Sequence, residues 1–339
     1  MAISLGPSFQ RPWAAILWLM ATIAVIGAGA VGSYYGALLA RAGHDVRFLM
    51  RRDIEAVRAH GLKIHSPNGG FTLHPVRAFV TPEEIGPVDW VFCSLKATAL
   101  DDAPALIEPC VGPRTRIVAL MNGLGVEERL AQHFGKQRLF GAMAFVCINR
   151  GEPGVVHHLM YGRVTCGHLE DDPAEVAALE ELLVSGGIDV SPTPNLRYAR
   201  WEKLCWNVPF NGLSAAGGGI GTQAIVDDPP LRETAKRTMR EVIAIANADL
   251  AAGGSKPRLD ASRLVPALFA QTDTMGDYHT SMALDYVHGR ELEVEAIHGA
   301  VVERARALGV PAPTVATLYA LVRLADRRRR GLVPVIRPE

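Results

Sequence analysis

The segment that decides the fold is residues 22–32, TIAVIGAGAVG. An apolar run, Ile23–Ile26, leads directly into Gly27-Ala28-Gly29-Ala30-Val31-Gly32, which has the pattern G-x-G-x-x-G. In this pattern the first glycine makes a tight turn, the second lets the backbone approach a ligand, and the third lets a helix pack closely on the strand. The helix that follows points free amide groups at the turn, which suits a phosphate. The segment therefore predicts a strand, turn and helix that bind the pyrophosphate of a dinucleotide.

The sequence beyond this unit predicts two domains. Apolar runs alternate with helical stretches up to Ser191-Pro-Thr-Pro194, a predicted linker, and such alternation is typical of a parallel sheet with crossover helices. After the linker the pattern is helical. We predict an α/β fold, with an N-terminal Rossmann-type doubly wound sheet followed by an all-helical C-terminal domain. The predicted parts are an N-terminal extension at 1–19, the sheet domain at 20–194, the helical domain at 195–326 and a basic tail at 327–339.

Individual elements follow from the same patterns. Two long helices are expected, at Pro230–Leu250 and at Arg290–Leu308, the second ended by Gly309. The predicted strands are Ile23–Ile26, Val46–Met50, Trp90–Leu95, Ile117–Leu120, Leu139–Val146, Arg163–Gly167 and Ile188–Val190.

The N-terminal region allows a second interpretation. Residues 13–40 contain no charged side chain. This stretch is long enough to span a bilayer or to form a signal-peptide core behind Arg11. However, the predicted strand and glycine turn occupy the second half of that stretch. We therefore expect residues 1–19 to be an upstream extension and the protein to be cytoplasmic.

The overall composition excludes several classes of function. The 339 residues include 35 basic and 35 acidic ones, so no global field favours nucleic acid or an anionic membrane. The 5 cysteines are odd in number and form no C-x-x-C pair, so we expect reduced, buried thiols and no metal site.

The end of the second predicted strand selects the dinucleotide. An NAD-binding protein usually has Asp or Glu there, about 20 residues after the glycine turn, to bind the ribose hydroxyls. Here the position holds Arg51, followed by Arg52, and a guanidinium suits the 2′-phosphate of NADP. Asp53 lies past the strand, where it suits the cap of the next helix. The sequence therefore predicts NADPH/NADP+ as the cofactor.

Polar residues also follow two further predicted strands. Lys96 comes directly after Val91–Leu95, and Asn122 after Ile117–Met121. Ligands of doubly wound sheets bind outside the carboxyl ends of the strands. We therefore predict both residues at the cofactor cleft, although each also suits an ordinary loop.

One helix of the second domain carries the candidate catalytic group. Lys203, Asn207 and Asn211 recur every four residues and so share one helical face. Their neighbours are apolar, and burying such polar groups is costly unless they are paired or bind a ligand. Burial would lower the pKa of Lys203 and a nearby carboxylate would raise it, so the pattern predicts an acid of unspecified pKa. Pro209 is expected to kink the helix, which leaves the placement of Asn211 open.

Two further candidates lie closer to the C-terminus. Thr280-Ser281-Met282 opens a helical run whose hydroxyls and free amides can hold a carboxylate. Glu293 and Glu295 cannot lie on the same face of a helix. One is expected to face the cleft and the other solvent or a neighbour, and the sequence does not choose between them.

These residues occur in the order and approximate spacing of the ketopantoate reductase family, which the chain resembles from about residue 22 to residue 324. The Lys203-Asn207-Asn211 stripe and the spacing from Ser281 to Glu293 are the specific parts. The resemblance implies a Rossmann domain and a helical domain with the active site between them. It implies Lys203 as general acid, Asn207, Asn211 and Ser281 as substrate ligands, Glu293 near the lysine and the nicotinamide ribose, and Asn122 in contact with cofactor and substrate.

Several positions depart from the family pattern. Ala99 stands where the family often has glutamine, and Gly221 where it has asparagine. The pattern Glu-x-Asp-x-x-Asn-Gly becomes Glu293-Val-Glu-Ala-Ile-His-Gly299. The catalytic group is intact, while part of the expected substrate shell differs.

The sequence therefore predicts NADPH-dependent reduction of a 2-keto acid to a 2-hydroxy acid. Lys203 would protonate the alkoxide and Glu293 would orient that lysine. The resemblance implies 2-dehydropantoate (ketopantoate) as substrate and a place in pantothenate biosynthesis. The alternatives are a paralogous reductase of another branched or bulky 2-keto acid and a non-catalytic NADP(H)-binding sensor. The predicted partner is the small keto acid, with no nucleic acid, membrane or metal, and a homodimer stays open.

Overall fold

The structure is a computed structural model that describes residues 20–256 and 258–333. The predicted N-terminal extension at 1–19 and the end of the predicted basic tail, 334–339, lie outside these residues. Within the described ranges, no helix combines the length and the apolar character needed to cross a membrane.

Ten strands within the described residues form one sheet. Six of them run parallel in the order β5-β2-β1-β6-β7-β8, β9 is antiparallel to β8, and β3, β4 and β10 extend the sheet beyond β9. The strands are β1 Thr22–Ile26, β2 Asp45–Leu49, β3 Leu62–His65, β4 Phe71–Leu73, β5 Arg77–Phe79, β6 Val88–Cys93, β7 Val111–Ala119, β8 Leu139–Arg150, β9 Val155–His168 and β10 Val190–Pro192.

Helices cover both faces of the sheet and build the C-terminal domain. Short 3₁₀ turns occur at Ala97–Ala99, Glu108–Cys110 and Lys136–Arg138, and a π-helical turn at Glu295–Gly299. The α-helices are α1 Ala30–Arg41, α2 Ile54–His60, α3 Pro82–Ile85, α4 Ala103–Ile107, α5 Val126–Phe134, α6 Pro173–Ser185, α7 Leu196–Ala216, α8 Thr222–Asp227, α9 Pro229–Ala252, α10 Ala261–Asp273, α11 Ser281–Val287, α12 Ala300–Ala307 and α13 Pro313–Arg329.

The central strand β1 shows why the sheet is doubly wound. Ile23 and Val25 pack in a core with α1 and α6, whereas Ala24 and Ile26 pack in a core with α4 and α5. A parallel strand that is buried on both faces reads as a continuous apolar run, as residues 23–26 do. The predicted fold class, a Rossmann-type sheet followed by a helical domain, is confirmed.

Helix α7 forms the centre of the helical domain. Its N-cap Asn195 accepts a hydrogen bond from the Tyr198 amide at 2.7 Å, and α9, α11 and α13 pack around it. All residues from Leu204 to Ala215 are buried. The helix continues as one element through Pro209, so Asn211 stays on the same helix as Lys203.

Two predicted elements differ from the structure. The helix predicted at Arg290–Leu308 is wrong at its start, because helical structure begins only at the π-helical turn. Residues 290–293 are not helical. The Arg290 Nε donates to Asp285 at 2.7 Å and the Leu292 amide donates to Asp326 at 3.1 Å. Ser191 and Pro192 of the predicted linker belong to β10, which pairs with β9 and overlaps the predicted strand Ile188–Val190 only at Val190. The 5 cysteines are all free and buried, as predicted.

Candidate active site

A cleft of about 1400 Å³ lies between the sheet domain and the helical domain. It is lined by every residue predicted for the site except Gly32, which lies behind the glycine turn. The fold therefore brings together residues from Gly27 to Glu293. The lining residues from the predicted set are Gly27, Ala28, Gly29, Ala30, Val31, Arg51, Lys96, Asn122, Lys203, Asn207, Asn211, Ser281 and Glu293.

The three glycines of the turn have different structural roles. Gly27 has φ +97°, and a Cβ there would lie 2.7 Å from the backbone of Leu95. A Cβ at Gly32 would lie 2.5 Å from the Gly27 carbonyl oxygen, so both positions are fixed by the protein's own packing. A Cβ at Gly29 would meet nothing within 4 Å, and Gly29 lines the cleft just before α1. The open space at Gly29 and the free amides of α1 fit a dinucleotide pyrophosphate.

The end of β2 presents positive charge to the cleft. Arg51 and Arg52 are exposed and line it. Asp53 occupies the N-cap position of α2, as expected, but its side chain makes no capping bond. Its carboxylate instead accepts a hydrogen bond from Arg150 Nε at 3.0 Å. Because Arg150 neutralises the acid, the charge that this end of the cleft presents is positive.

Lys203 lies half-buried on the cleft side of α7. Its Nζ donates a hydrogen bond to the Ala144 carbonyl oxygen at 2.9 Å, which holds the amine against the middle of β8. Burial lowers the pKa of Lys203 to about 7, the nearby Arg200 guanidinium adds to that lowering, and the Glu293 carboxylate opposes it. An amine with this pKa exchanges protons near neutral pH.

Glu293, not Glu295, faces the cleft. Its buried carboxylate accepts a hydrogen bond from the Ala97 amide at 2.8 Å. Burial raises the pKa of Glu293, while the bond from Ala97, the Lys96 ammonium and the Asn122 amide oppose the rise. Glu295 is exposed and accepts a hydrogen bond from the Tyr319 hydroxyl at 2.8 Å. The structure thus makes the choice that the sequence left open.

Asn122 reaches Glu293 because its loop docks on the π-helical turn. The Leu124 amide donates to the Ala296 carbonyl oxygen at 3.1 Å. Gly123 has φ +108°, and a Cβ there would lie 2.8 Å from the Cβ of Ala296. Only glycine allows this close contact, which fixes Asn122 across the domain interface.

Sequence reasoning missed Asp285, which pairs with Lys96 across the cleft. The Lys96 Nζ lies 2.5 Å from the buried Asp285 carboxylate, which also binds Arg290. Asp285 lies one turn after Ser281 on α11, so this spacing was the signal in the sequence that could have indicated it.

Ser281 is exposed at the start of α11, while Thr280 is buried and its hydroxyl caps the Ala283 amide at 3.1 Å. Of these two hydroxyl groups, only that of Ser281 faces the cleft.

An aromatic wall, defined as Phe145, Tyr161, Trp206 and Tyr278, lines the cleft near Lys203. The Phe145 and Tyr161 rings lie 4.6 Å apart, and those of Trp206 and Tyr278 lie 6.3 Å apart. Phe145 directly follows the residue that binds the Lys203 amine. The β8–β9 pairing shifts register just after Phe145, which no local pattern of the sequence indicates.

Two positions that depart from the family pattern have a structural account. At Gly221 a Cβ would collide with the Asp277 carboxylate, which occupies the space of a side chain and lines the cleft. His298 is buried, and its Nε2 lies 2.9 Å from the Val208 carbonyl oxygen. Burial lowers the pKa of His298 to about 4, so the ring is neutral and its Nε2 donates this bond.

The fold and the cleft define a two-domain oxidoreductase of the Rossmann type. Comparison with known families then gives the particular group. The profile "Ketopantoate reductase PanE/ApbA" matches residues 23–171, and "Ketopantoate reductase PanE/ApbA C terminal" matches residues 195–326. The chain belongs to the ketopantoate reductase family, which confirms the resemblance predicted from the sequence.

Individual proteins of this family resemble the whole chain. A 2-dehydropantoate 2-reductase of Nostoc sp. is 34% identical, over 91% of this chain and 96% of its own length. The crystal structure of 2-dehydropantoate 2-reductase from Geobacter metallireducens is 43% identical with a TM-score of 0.86, covering 90% of this chain and 99% of that one. The enzyme structure from Methylococcus capsulatus is 33% identical with a TM-score of 0.81, covering 91% and 97%.

Proposed function

We propose that this enzyme reduces 2-dehydropantoate (ketopantoate) to pantoate with NADPH. The observation that carries the proposal is Lys203, an amine of pKa about 7 in the same cleft as the glycine turn. The names of the relatives from Nostoc and Geobacter support the substrate. The reaction would then serve pantothenate biosynthesis.

The proposed mechanism assigns one task to each side chain. When bound, the reduced nicotinamide supplies a hydride to the ketone carbon. Lys203 donates a proton from Nζ to the ketone oxygen, which would otherwise become an alkoxide. Its bond to the Ala144 carbonyl uses one of three N–H donors and orients the other two. Glu293, held by the Ala97 amide, favours the protonated form of the lysine.

The preference for NADPH is supported by the charge at the end of β2. Arg51 and Arg52 are exposed to the cleft, and a guanidinium binds phosphate through charge-assisted hydrogen bonds. The adjacent acid, Asp53, is paired with Arg150 and is not free for ribose hydroxyls. Lys96, paired with Asp285, is proposed to contact the cofactor from the end of β6.

The keto acid is proposed to bind between the two domains. Asn207 and Asn211 are buried on the cleft side of α7, one and two turns after Lys203. Their amides suit a carboxylate and a hydroxyl, and Ser281 supplies a further donor from α11. Asn122, held near Glu293, contacts both cofactor and substrate in this proposal.

A second candidate is the reduction of a bulkier 2-keto acid in the same cleft. The aromatic wall favours it, since apolar rings beside the reacting group suit a large apolar substituent better than a hydroxymethyl group. The reaction and the residues that perform it would be the same.

A panel of 2-keto acids tests both candidates with NADPH as reductant. We expect kcat/KM to be highest for ketopantoate, compared with 2-ketoisovalerate, 2-ketoisocaproate and phenylglyoxylate. A clear preference for phenylglyoxylate would favour the second candidate. Tight NADPH binding without turnover of any panel member would instead indicate a non-catalytic sensor.

A further inference from the structure

We propose that Arg200, paired with Glu127, is a positioning residue for Lys203. It ties α7 to the loop that carries Asn122, and it places a buried positive charge one helical turn from the lysine. This inference rests on the proposed role of Lys203 as general acid.

The contacts of Arg200 all cross from α7 to the sheet domain. Its Nε donates to the Glu127 carboxylate at 2.9 Å, and its Nη2 donates to the same oxygen. Its Nη1 donates to the Met121 carbonyl oxygen at 2.5 Å, and its Nη2 to that of Ala119 at 3.1 Å. Ala119 is the last residue of β7, and Met121 directly precedes Asn122. One guanidinium therefore fixes the distance between the helix of the lysine and the loop of the asparagine.

The pair is too deeply buried for solvent to screen it. Arg200 is 3% exposed and Glu127 2% exposed. Lys203 follows Arg200 by three residues, so the two side chains lie on neighbouring positions of one helical face. Like charges at such a separation destabilise each other, which disfavours the charged form of the lysine. The Arg200 guanidinium accordingly lowers the pKa of Lys203, in addition to burial.

Other charged groups around the lysine have to be included. The Glu293 carboxylate raises the pKa of Lys203 and so opposes the effect of Arg200. The charge of Lys96 is compensated by its ion pair with Asp285. Within the described residues, the charges that act on Lys203 are those of Arg200 and Glu293. Glu127 pairs with Arg200, and the other titratable groups in the cleft around the lysine are Lys96 after β6, Asp285 on α11, Cys147 on β8, Tyr161 on β9 and Tyr278 before α11.

The same helix offers a matched control. Arg197 lies three residues before Arg200 and also binds a buried carboxylate, since its Nε and Nη2 donate to Asp249 at 2.6 and 2.8 Å. This pair lies within the helical domain and makes no contact with the cleft loop. A residue that is merely structural should behave like Arg197, whereas a positioning residue should also change the proton equilibrium of Lys203.

The experiment compares the pH profiles of kcat for the full-length enzyme and its variants. Arg200→Met removes a positive charge beside Lys203, so the pKa of the lysine should rise. The alkaline limb of the pH profile of kcat is therefore expected to move to higher pH by about one unit, the size of a neighbouring-charge effect. Its kcat should fall while KM changes little, because the lysine is less well placed. Arg200→Lys keeps the charge and should keep the limb near its wild-type position. Arg197→Met should lower Tm and leave the limb unchanged.

A second variant and a second readout keep the test decisive if Arg200→Met does not fold. Glu127→Gln leaves the charge of Arg200 uncompensated, so the limb should move to lower pH. The same opposite shifts are expected in the pH dependence of Lys203 labelling by acetic anhydride, measured without cofactor by mass spectrometry.

The two proposals fail in different ways. This inference is overturned if a folded Arg200→Met enzyme has the wild-type pH profile of kcat and the wild-type labelling curve. It is also overturned if the alkaline limb of the Glu127→Gln profile is unchanged or moves to higher pH. If Lys203→Ala keeps wild-type kcat, the proposed mechanism itself is rejected.

Discussion

The two walls of the cleft are built in opposite ways. The proposed cofactor wall is five consecutive residues, Gly27–Val31, which present backbone amides and small side chains or none. The proposed catalytic wall presents side chains that are distant in sequence, from Asn122 through Lys203 to Glu293, and that meet only after two domains pack. Cofactor binding at the first wall should therefore be sensitive to substitutions that add atoms. Turnover at the second wall should be sensitive to substitutions that remove atoms or charges.

The largest effect is expected at Lys203, which carries the proton in the proposed mechanism. Lys203→Ala should lower kcat by about 10²-fold or more, because the general acid is lost. NADPH binding, followed by fluorescence titration, should change little. Glu293→Ala should lower kcat less, since Glu293 acts on the lysine and not on the keto oxygen. A Lys203→Ala variant with unaltered kcat would show that the catalytic wall is misassigned.

Arg51 tests whether the cofactor wall also depends on one side chain. Arg51→Ala should weaken NADPH binding by about tenfold to a hundredfold, the value of a charge-assisted hydrogen bond. The Kd for NADH, measured in the same titration, serves as the control and should change little. Equal losses for the two cofactors would mean that Arg51 does not bind the 2′-phosphate.

Gly29 tests the sensitivity to added atoms. Gly29→Ala adds a methyl group to open space, so the free energy of unfolding should stay within about 0.5 kcal/mol of wild type. NADPH affinity should nevertheless fall by about tenfold, because the methyl group occupies the space of the pyrophosphate. Gly32→Ala is the matched control, and its main effect should be lower stability. If Gly29→Ala binds NADPH normally, the pyrophosphate lies elsewhere.

The smallest effect concerns pH. The proposed mechanism requires the acid form of Lys203, and burial lowers the pKa of this lysine to about 7. The protonated fraction therefore falls as pH rises through about 7, and kcat near that pH should be about half of its low-pH limit. Above that pH, kcat should decrease about tenfold per unit. A steady-state profile that stays flat through mildly alkaline pH would contradict the lowered pKa.

Much of the fold could be predicted from the sequence because its signals are local. The run at Ile23–Ile26 is buried on both faces and leads into glycines with distinct steric roles. The 11 residues from 22 to 32 are therefore enough to predict the strand, the turn and the start of the helix. The short strands β3, β4 and β5 were not predicted. They have four residues or fewer, and no periodicity distinguishes such segments from a loop.

The candidate site divides in the same manner. The stripe of Lys203, Asn207 and Asn211 is visible because four-residue spacing is a property of one helix. The pairing of Asp53 with Arg150 spans 97 residues, and that of Arg200 with Glu127 spans 73. Such pairs depend on the packing of the domains and leave no local pattern. Pattern analysis therefore found the stripe and missed the ion pairs that support it.

The π-helical turn at Glu295–Gly299 limits the insertions and deletions that the enzyme tolerates in this segment. One residue of an α-helix corresponds to a rotation of about 100°. Deleting a residue from the turn would therefore rotate either Val301 and Val302 out of the core or Glu293 out of the cleft. Substitution of the exposed Glu295, which contacts Tyr319 and Arg323, has no such effect. At this position of the turn the spacing of the chain is thus more constrained than the identity of the residue.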